Sequence, residues 1–145
     1  MAEKKEKKIT SFEELPKIVA VDFDGTLVED EFPNIGKPNE EMFNFLKYLR
    51  QEQGVKLVLW TSRNFSEKYG DLLEQAVEFC QSKGLEFDAI NENIQEVQDF
   101  TGEDTRKIYA DVYIDDKSVP AIQSPIYWVY KLGFSWLDIK NNGVI

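Results

Sequence analysis

The chain has 145 residues, and its 17 basic and 27 acidic side chains give a net charge of −10, which disfavours a protein that coats nucleic acid. Its length predicts one domain over 1–145, and its 42% hydrophobic content predicts a folded chain. The lack of histidine excludes His-based catalytic triads and the usual zinc sites, and the lack of an apolar run of roughly 20 residues excludes a membrane span.

The predicted elements begin with a charged arm and a buried strand. Lysine-rich residues 1–10 predict a flexible, solvated arm. Ser11 starts a capping-box pattern, but Pro16 limits any helix there to about one turn. A near-continuous apolar run over 17–23 predicts a strand buried on both faces, as strands of parallel sheets are. Glycines and prolines over 24–38 predict a loop.

Two helices with a strand between them follow. Asn39 is the predicted N-cap of the first helix, which ends at Gly54. The apolar segment 55–60 is the predicted second strand. Ser66 is the predicted N-cap of the second helix, which ends at Gly84.

The second half of the chain continues this alternation. Cys80 lies on the apolar stripe of the second helix and indicates a buried structural thiol, in a chain whose single cysteine is typical of a cytoplasmic protein. Short strands are predicted over 87–90 and 111–114, while 91–106 is polar and ambiguous. The aromatic tail from Val119 predicts a closing helix or strand, with an interface for a second copy of the chain or a wall of the substrate site as the alternative. The alternation predicts an α/β fold of three layers, a Rossmann-like parallel sheet with helices on both faces.

Three of the predicted strands are followed by acidic or hydroxyl side chains. The carboxyl ends of parallel strands lie at one edge of a sheet, where ligands bind. The side chains at this edge are Asp22, Asp24 and Thr26, then Thr61, Ser62 and Arg63, and finally Asp115 and Asp116. Two like charges about 4 Å apart repel by about 4 kcal/mol at an effective dielectric constant of about 20, so four carboxylates here require a cation. Oxygen ligands alone favour Mg²⁺.

A carboxylate beside a divalent cation has a characteristic chemistry. It can attack phosphorus and form an aspartyl phosphate, which splits hydrolysis into two easier steps. The reaction also needs hydroxyl donors for the phosphoryl oxygens, a lysine to offset charge, and a second carboxyl group that acts as acid and then as base. The residue types at this edge, with Lys107 shortly before the fourth strand, meet these needs.

Four segments, in this order, resemble the motifs of the haloacid dehalogenase-like hydrolases. Asp22–Thr26 (DFDGT) resembles the first motif, and Thr61 after an apolar strand resembles the second. Lys107 fits the basic third motif, and Asp115 with Asp116 fits the acidic fourth. The resemblance implies an enzyme, and the aspartate two residues after the first implies a phosphatase instead of a dehalogenase.

The resemblance also implies roles for the acidic residues. Asp22 is the expected nucleophile and a metal ligand, and Asp24 is the expected general acid and base, with its backbone carbonyl on the metal. Asp115 is expected to bind Mg²⁺, and Asp116 to bind it directly or through water.

Phosphate and substrate contacts are expected from the remaining residues at this edge. Thr61 and Ser62 are expected to bind the phosphoryl group, and Lys107, or its neighbour Arg106, to neutralise it. Arg63 is either a substrate contact or part of a structural ion pair. The candidate substrate contacts are Thr26, Arg63 and Asn91.

The spacing of the motifs bears on the substrate. Only 35 positions separate Thr26 from Thr61 and 46 separate Thr61 from Lys107, which leaves no room for a cap domain of about 50 residues. We therefore expect a capless phosphatase with an open site, acting on a small ester such as a nucleotide or sugar phosphate. Acidic residues in the 27–38 loop are expected to repel strongly anionic substrates. The alternatives are a phosphate on a nucleic-acid end or a phosphoprotein, a receiver-like domain, and a non-catalytic metal-binding domain.

Overall fold

A computed structural model describes residues 8–118 and 125–143. Most of the predicted arm (1–7) and the start of the aromatic tail (119–124) lie outside the described residues. The elements are, in chain order, a 3₁₀ helix (Phe12–Glu14), β1 (Ile18–Val21), β2 (Val28–Glu31), β3 (Asn34–Pro38), α1 (Glu40–Gln53), β4 (Lys56–Leu59), β5 (Phe65–Ser66), β6 (Gly70–Asp71), α2 (Leu72–Ser82), β7 (Ala89–Ile90), α3 (Gln95–Thr101), β8 (Val112–Ile114), α4 (Pro125–Leu132) and α5 (Trp136–Asn141).

Four of the strands form one parallel sheet, in the order β7–β4–β1–β8. In its register, Val19 of β1 lies beside Leu57 of β4 and Val112 of β8. All four residues of β1 are buried, as the apolar run predicts for a central strand. The predicted α/β fold with a parallel sheet is confirmed, and β1 and β8, which precede the two acidic pairs, are neighbours.

Helices cover both faces of this sheet. Val19 and Val21 belong to a core cluster with buried side chains of α1, α2, α4 and α5. Ile18 and Ala20, which alternate with them, belong to a second cluster with α3 and the segments flanking it. The alternation along β1 follows from the two-residue period of a strand.

The structure corrects three of the predicted elements. The predicted loop 24–38 contains an antiparallel hairpin of β2 and β3, and its prolines occupy the turn and the strand end, where they break no ladder. The ambiguous segment 91–106 contains α3. Ser66 does not cap α2, because its hydroxyl accepts hydrogen bonds from the amides of Lys68 and Tyr69 in the turn between β5 and β6. Asp71 caps α2 instead, accepting from the amide of Glu74.

The remaining predictions about helices and the thiol agree with the structure. Asn39 caps α1 by accepting from the amide of Met42, and Gly54 ends this helix. Cys80 is fully buried, and burial raises the pKa of its thiol to about 12, as expected of a structural cysteine. The described part of the tail forms two helices, α4 and α5. Across 8–118 and 125–143, no helix has the length and apolar character needed to cross a membrane.

Candidate functional site

A cavity of about 750 Å³ lies at the carboxyl ends of the parallel strands. Acidic residues reach it from the ends of β1 and β8, and hydroxyl residues reach it from the end of β4. Its lining consists of Asp22, Asp24, Asp30, Phe32, Trp60, Thr61, Ser62, Asn91, Asp115, Asp116 and Lys117. The cavity therefore contains both predicted acidic pairs and the predicted hydroxyl pair.

Three of the carboxylates lie against one another. Asp22, Asp115 and Asp116 each place one carboxylate oxygen within 4.8 Å of the others, and all three are half-buried. The pairing of β1 with β8 brings them together, since the amide of Asp22 donates to the carbonyl of Ile114 at 2.9 Å. We call these three residues the acidic trio.

Among the residues that the structure describes, no buried cation neutralises the acidic trio. The pKa of Asp22 is raised to about 7, first by burial, then by the charge of Asp115 and by a hydrogen bond with Asp116. The Lys117 Nζ lies 3.4 Å from Asp116 Oδ2, but this lysine side chain is 82% exposed and therefore screened by water. The acidic trio thus has the unbalanced negative charge that a divalent cation would offset.

Thr26 and Gly25 position Asp116. The Thr26 side chain is buried, and its hydroxyl accepts a hydrogen bond from the Asp116 amide at 3.2 Å. Thr26, a predicted substrate contact, does not line the cavity, because the turn after β1 points its hydroxyl at the chain after β8. A Cβ on Gly25, whose φ is +82°, would lie 2.3 Å from Asp116 Oδ2, so only glycine allows this close approach.

We therefore expect Gly25→Ala to displace the Asp116 carboxylate. It should lower the free energy of unfolding by more than about 1 kcal/mol, the cost of a left-handed backbone alone. If the acidic trio binds Mg²⁺, this variant should also show little of the increase in melting temperature that we expect on adding the metal, as measured by differential scanning fluorimetry.

Gly54→Ala is the matched control for this prediction. Gly54 has a similar φ of +67°, but nothing lies within 4 Å of an added Cβ. Gly54→Ala should lower the free energy of unfolding through backbone strain but leave the expected increase in melting temperature with Mg²⁺ unchanged. Equal Mg²⁺ responses in the two variants would contradict the positioning of Asp116 by this close approach.

Asp24 lines the cavity but is separate from the acidic trio. Its two carboxylate oxygens accept hydrogen bonds from Arg63 Nε and Nη2, each at 2.8 Å. The sequence predicted four carboxylates around one cation. In the structure, three of them form the acidic trio, and the carboxylate of Asp24 is paired with Arg63 instead. Arg63 is fully buried and does not line the cavity; it forms with Asp24 the structural ion pair that was one of its two predicted roles.

The hydroxyl residues after β4 are held by the adjacent loop. Thr61 and Ser62 both line the cavity, as does Asn91 after β7. The Thr61 amide donates to Asn91 Oδ1 at 2.9 Å, and the Thr61 hydroxyl accepts from the Arg63 amide at 3.1 Å. Asn91 adopts a left-handed φ of +53°, which asparagine tolerates better than most residues. Three predicted phosphate or substrate contacts, Thr61, Ser62 and Asn91, thus line the same cavity.

The two candidates for the third motif lie elsewhere. Neither Lys107 nor Arg106 lines the cavity; both are exposed, and Lys107 Nζ lies 5.9 Å from the centroid of the Tyr113 ring. A few residues later, Asp111 hydrogen-bonds through its backbone and side chain to Ile18, at the amino end of β1. The chain therefore approaches β8 from the end of the sheet opposite the cavity.

Sequence reasoning missed three residues of the cavity wall, Phe32, Trp60 and Lys117. Two of them had a signal: Trp60 directly precedes Thr61 at the end of an apolar strand, and Lys117 directly follows the second acidic pair. Phe32 reaches the cavity only because 24–38 forms a hairpin.

The chain is similar in sequence and fold to a protein of known structure. No protein-family model and no curated protein matches the chain. A conserved protein from Bacteroides thetaiotaomicron, known by its structure, is 38% identical and superposes with a TM-score of 0.67. The match covers 86% of this chain and 98% of the Bacteroides protein. At this identity and coverage, the chain belongs to the same family as that conserved protein of Bacteroides thetaiotaomicron.

Proposed function

We propose that this protein is a Mg²⁺-dependent phosphomonoester hydrolase that acts through an aspartyl phosphate on Asp22. The observation that carries the proposal is the acidic trio at the ends of two neighbouring strands, in the same cavity as two hydroxyl side chains. Three of its motifs, around Asp22, Thr61 and Asp115, line the cavity and occur in the order of the haloacid dehalogenase-like hydrolases, and we assign the chain to that type.

The donor atoms fit a hard divalent cation. Asp22, Asp115 and Asp116 would hold Mg²⁺, because their oxygens converge and, within the described part of the chain, only the exposed Lys117 offsets their charge. When bound, the cation supplies charge neutralisation, which lets an anionic carboxylate approach an anionic phosphate.

The chain's own residues then divide the chemistry among them. The Asp22 carboxylate attacks phosphorus, and the bond from phosphorus to the ester oxygen breaks as the new bond forms. Asp24 gives a proton to the leaving oxygen and later takes one from water. Thr61 and Ser62 donate hydrogen bonds to the phosphoryl oxygens. Lys117, the lysine that lines the cavity, offsets further negative charge.

The assignment as a capless enzyme is supported by what fills the intervals between motifs. The β2–β3 hairpin and α1 occupy most of the first interval, and the second contains the β5–β6 hairpin, α2, β7 and α3. Each of these elements is too short to form a domain by itself. Selection of the substrate is therefore left to the cavity wall.

The cavity wall favours a small ester with one phosphate. Asp30 adds a fifth carboxylate to the lining, against one lysine, and this charge repels polyanions. Phe32 and Trp60 offer aromatic surface to an apolar or planar leaving group. A nucleoside monophosphate or a sugar phosphate suits this wall better than a nucleic-acid end does.

Hydrolysis assays test both parts of this proposal. The protein should hydrolyse para-nitrophenyl phosphate with Mg²⁺, lose this activity in EDTA, and recover it when excess Mg²⁺ is added. Equal turnover in EDTA would contradict the role of the acidic trio.

The substrate preference needs a separate panel. Small phosphomonoesters should have higher kcat/KM values than oligonucleotides with a 3′- or 5′-phosphate, measured by release of phosphate at equal ionic strength. A preference for the oligonucleotides would replace the proposed substrate class and leave the proposed chemistry in place.

A further inference from the structure

Arg63 is a buried cation that joins two segments of the cavity wall. Besides its paired hydrogen bonds to Asp24, it donates from Nη1 to the carbonyl of Pro33 at 3.2 Å and from Nη2 to the carbonyl of Asn34 at 2.9 Å. Its side chain is fully buried. The guanidinium therefore fixes the position of the Asp24 carboxylate relative to the turn of the β2–β3 hairpin.

Aromatic rings restrict the guanidinium further. Its Cζ lies 5.0 Å from the ring centroid of Phe23, which is fully buried, and 5.3 Å from that of Phe32. Such contacts stabilise a cation through the negative face of the ring. Because Phe32 belongs to the hairpin turn and is 53% exposed in the cavity mouth, a shift of the turn would move the guanidinium and, with it, Asp24.

We propose that Arg63 is a positioning residue, which orients the Asp24 carboxylate for proton transfer and couples that orientation to the turn of the β2–β3 hairpin. The inference rests on the proposed phosphatase function. It goes beyond that function because the orientation of the Asp24 carboxylate then depends on a hairpin that also lines the cavity.

Arg63 occupies two of the roughly four lone-pair sites of the Asp24 carboxylate, so a site stays open on each oxygen for the proton that Asp24 gives and takes. In the first step, the proton passes from the Asp24 carboxyl group to the ester oxygen as the bond from phosphorus to that oxygen breaks. In the second, Asp24 takes a proton from the water whose oxygen attacks phosphorus, and the bond from phosphorus to Asp22 breaks. Asp24 is then protonated for the next cycle. While Asp24 carries the proton, Arg63 Nη2 still donates a hydrogen bond to the carbonyl of Asn34, so this buried donor keeps an acceptor.

The test compares two esters that differ in their need for a proton. An alkyl phosphate needs protonation of its leaving oxygen, whereas 2,4-dinitrophenyl phosphate does not. Arg63→Lys should lower kcat/KM for the alkyl ester by about 10²-fold, within the range that general acid catalysis contributes, and change it much less for the aryl ester. Asp24→Asn should show the same selective loss, and the double variant should lose no more than Asp24→Asn alone.

Arg50→Lys is the matched control. Arg50 makes a similar paired contact with Asp88, at 3.3 and 3.2 Å, but neither residue lines the cavity. Arg50→Lys should affect both esters equally. Equal losses for both esters in Arg63→Lys, or an additive double variant, would reduce Arg63 to a structural role and overturn the inference.

A second variant covers the case in which Arg63→Lys does not fold. Phe32→Leu changes an exposed side chain, and it should give a smaller loss that is again selective for the alkyl ester. A larger loss for the aryl ester would mean that Phe32 only contacts the leaving group, and the coupling would be rejected. If the wild-type protein hydrolyses neither ester with Mg²⁺, the proposed function itself fails; activity with unselective losses rejects the positioning role alone.

Discussion

Asp22→Asn should lower the turnover of para-nitrophenyl phosphate by more than about 10³-fold, since loss of a nucleophile removes the covalent route altogether. An amide has nearly the shape of the carboxylate but does not attack phosphorus. The fold should survive, because the substitution removes one of three like charges that lie within 4.8 Å of one another. Steady-state hydrolysis with saturating Mg²⁺ measures the loss, and circular dichroism checks the fold.

Asp99→Asn is the control for the change in charge. Asp99 lies on the exposed side of α3, outside the cavity, and accepts a hydrogen bond from Gln95 Nε2 at 2.8 Å, which an asparagine oxygen can also accept. This variant should keep the wild-type rate. Substantial turnover by Asp22→Asn, with Asp99→Asn unchanged, would mean that another group attacks phosphorus and would remove the basis of the proposed mechanism.

The second prediction concerns stability against pH, with and without metal. The pKa of Asp22 is about 7 in the folded protein, against an ordinary value of 3.8. Between these values the folded state binds more protons than the unfolded state, so the free energy of unfolding falls as pH rises through this window. Without metal, the protein should therefore melt at a lower temperature at pH 8 than at pH 5.5.

Magnesium should cancel most of this trend because it binds the ionised carboxylates and displaces the proton from Asp22. At a Mg²⁺ concentration of about 100 times the dissociation constant, binding adds about 2.7 kcal/mol to the free energy of unfolding. The gain should be large at pH 8 and small at pH 5.5, where Asp22 holds its proton. Thermal melts at pH 5.5 and pH 8, each in EDTA and in Mg²⁺, give the four melting temperatures that this comparison needs.

Two variants separate Asp22 from the other carboxylates in these melts. Asp22→Asn should melt above the wild-type protein in EDTA at pH 8 and should lose the Mg²⁺ response. Asp99→Asn should retain the wild-type dependence on both pH and metal. A wild-type protein whose Mg²⁺ response is the same at pH 5.5 and pH 8 would show that the metal does not compete with the proton on Asp22.

Local chemistry was enough to predict the parallel sheet and the acidic edge. Apolar runs that end in polar residues identify the buried strands, and Asn39 and Gly54 mark the ends of α1 through their own backbone preferences. Because all strands of a parallel sheet end at one edge, the sequence placed Asp22, Asp115 and Asp116 at the same edge, and the pairing of β1 with β8 in the structure then brings them together.

The pairing of side chains was decided only by the tertiary structure. Arg63 lies 39 positions from Asp24, and no local pattern distinguishes this ion pair from two separate site residues. Thr26 follows the same strand as Asp22, yet its hydroxyl faces the chain after β8 and not the cavity. Lys107 precedes the acidic strand and Lys117 follows it, and only the second position lies at the cavity. A sequence pattern places residues along the chain, whereas the direction of a side chain and its partner depend on how distant elements pack together.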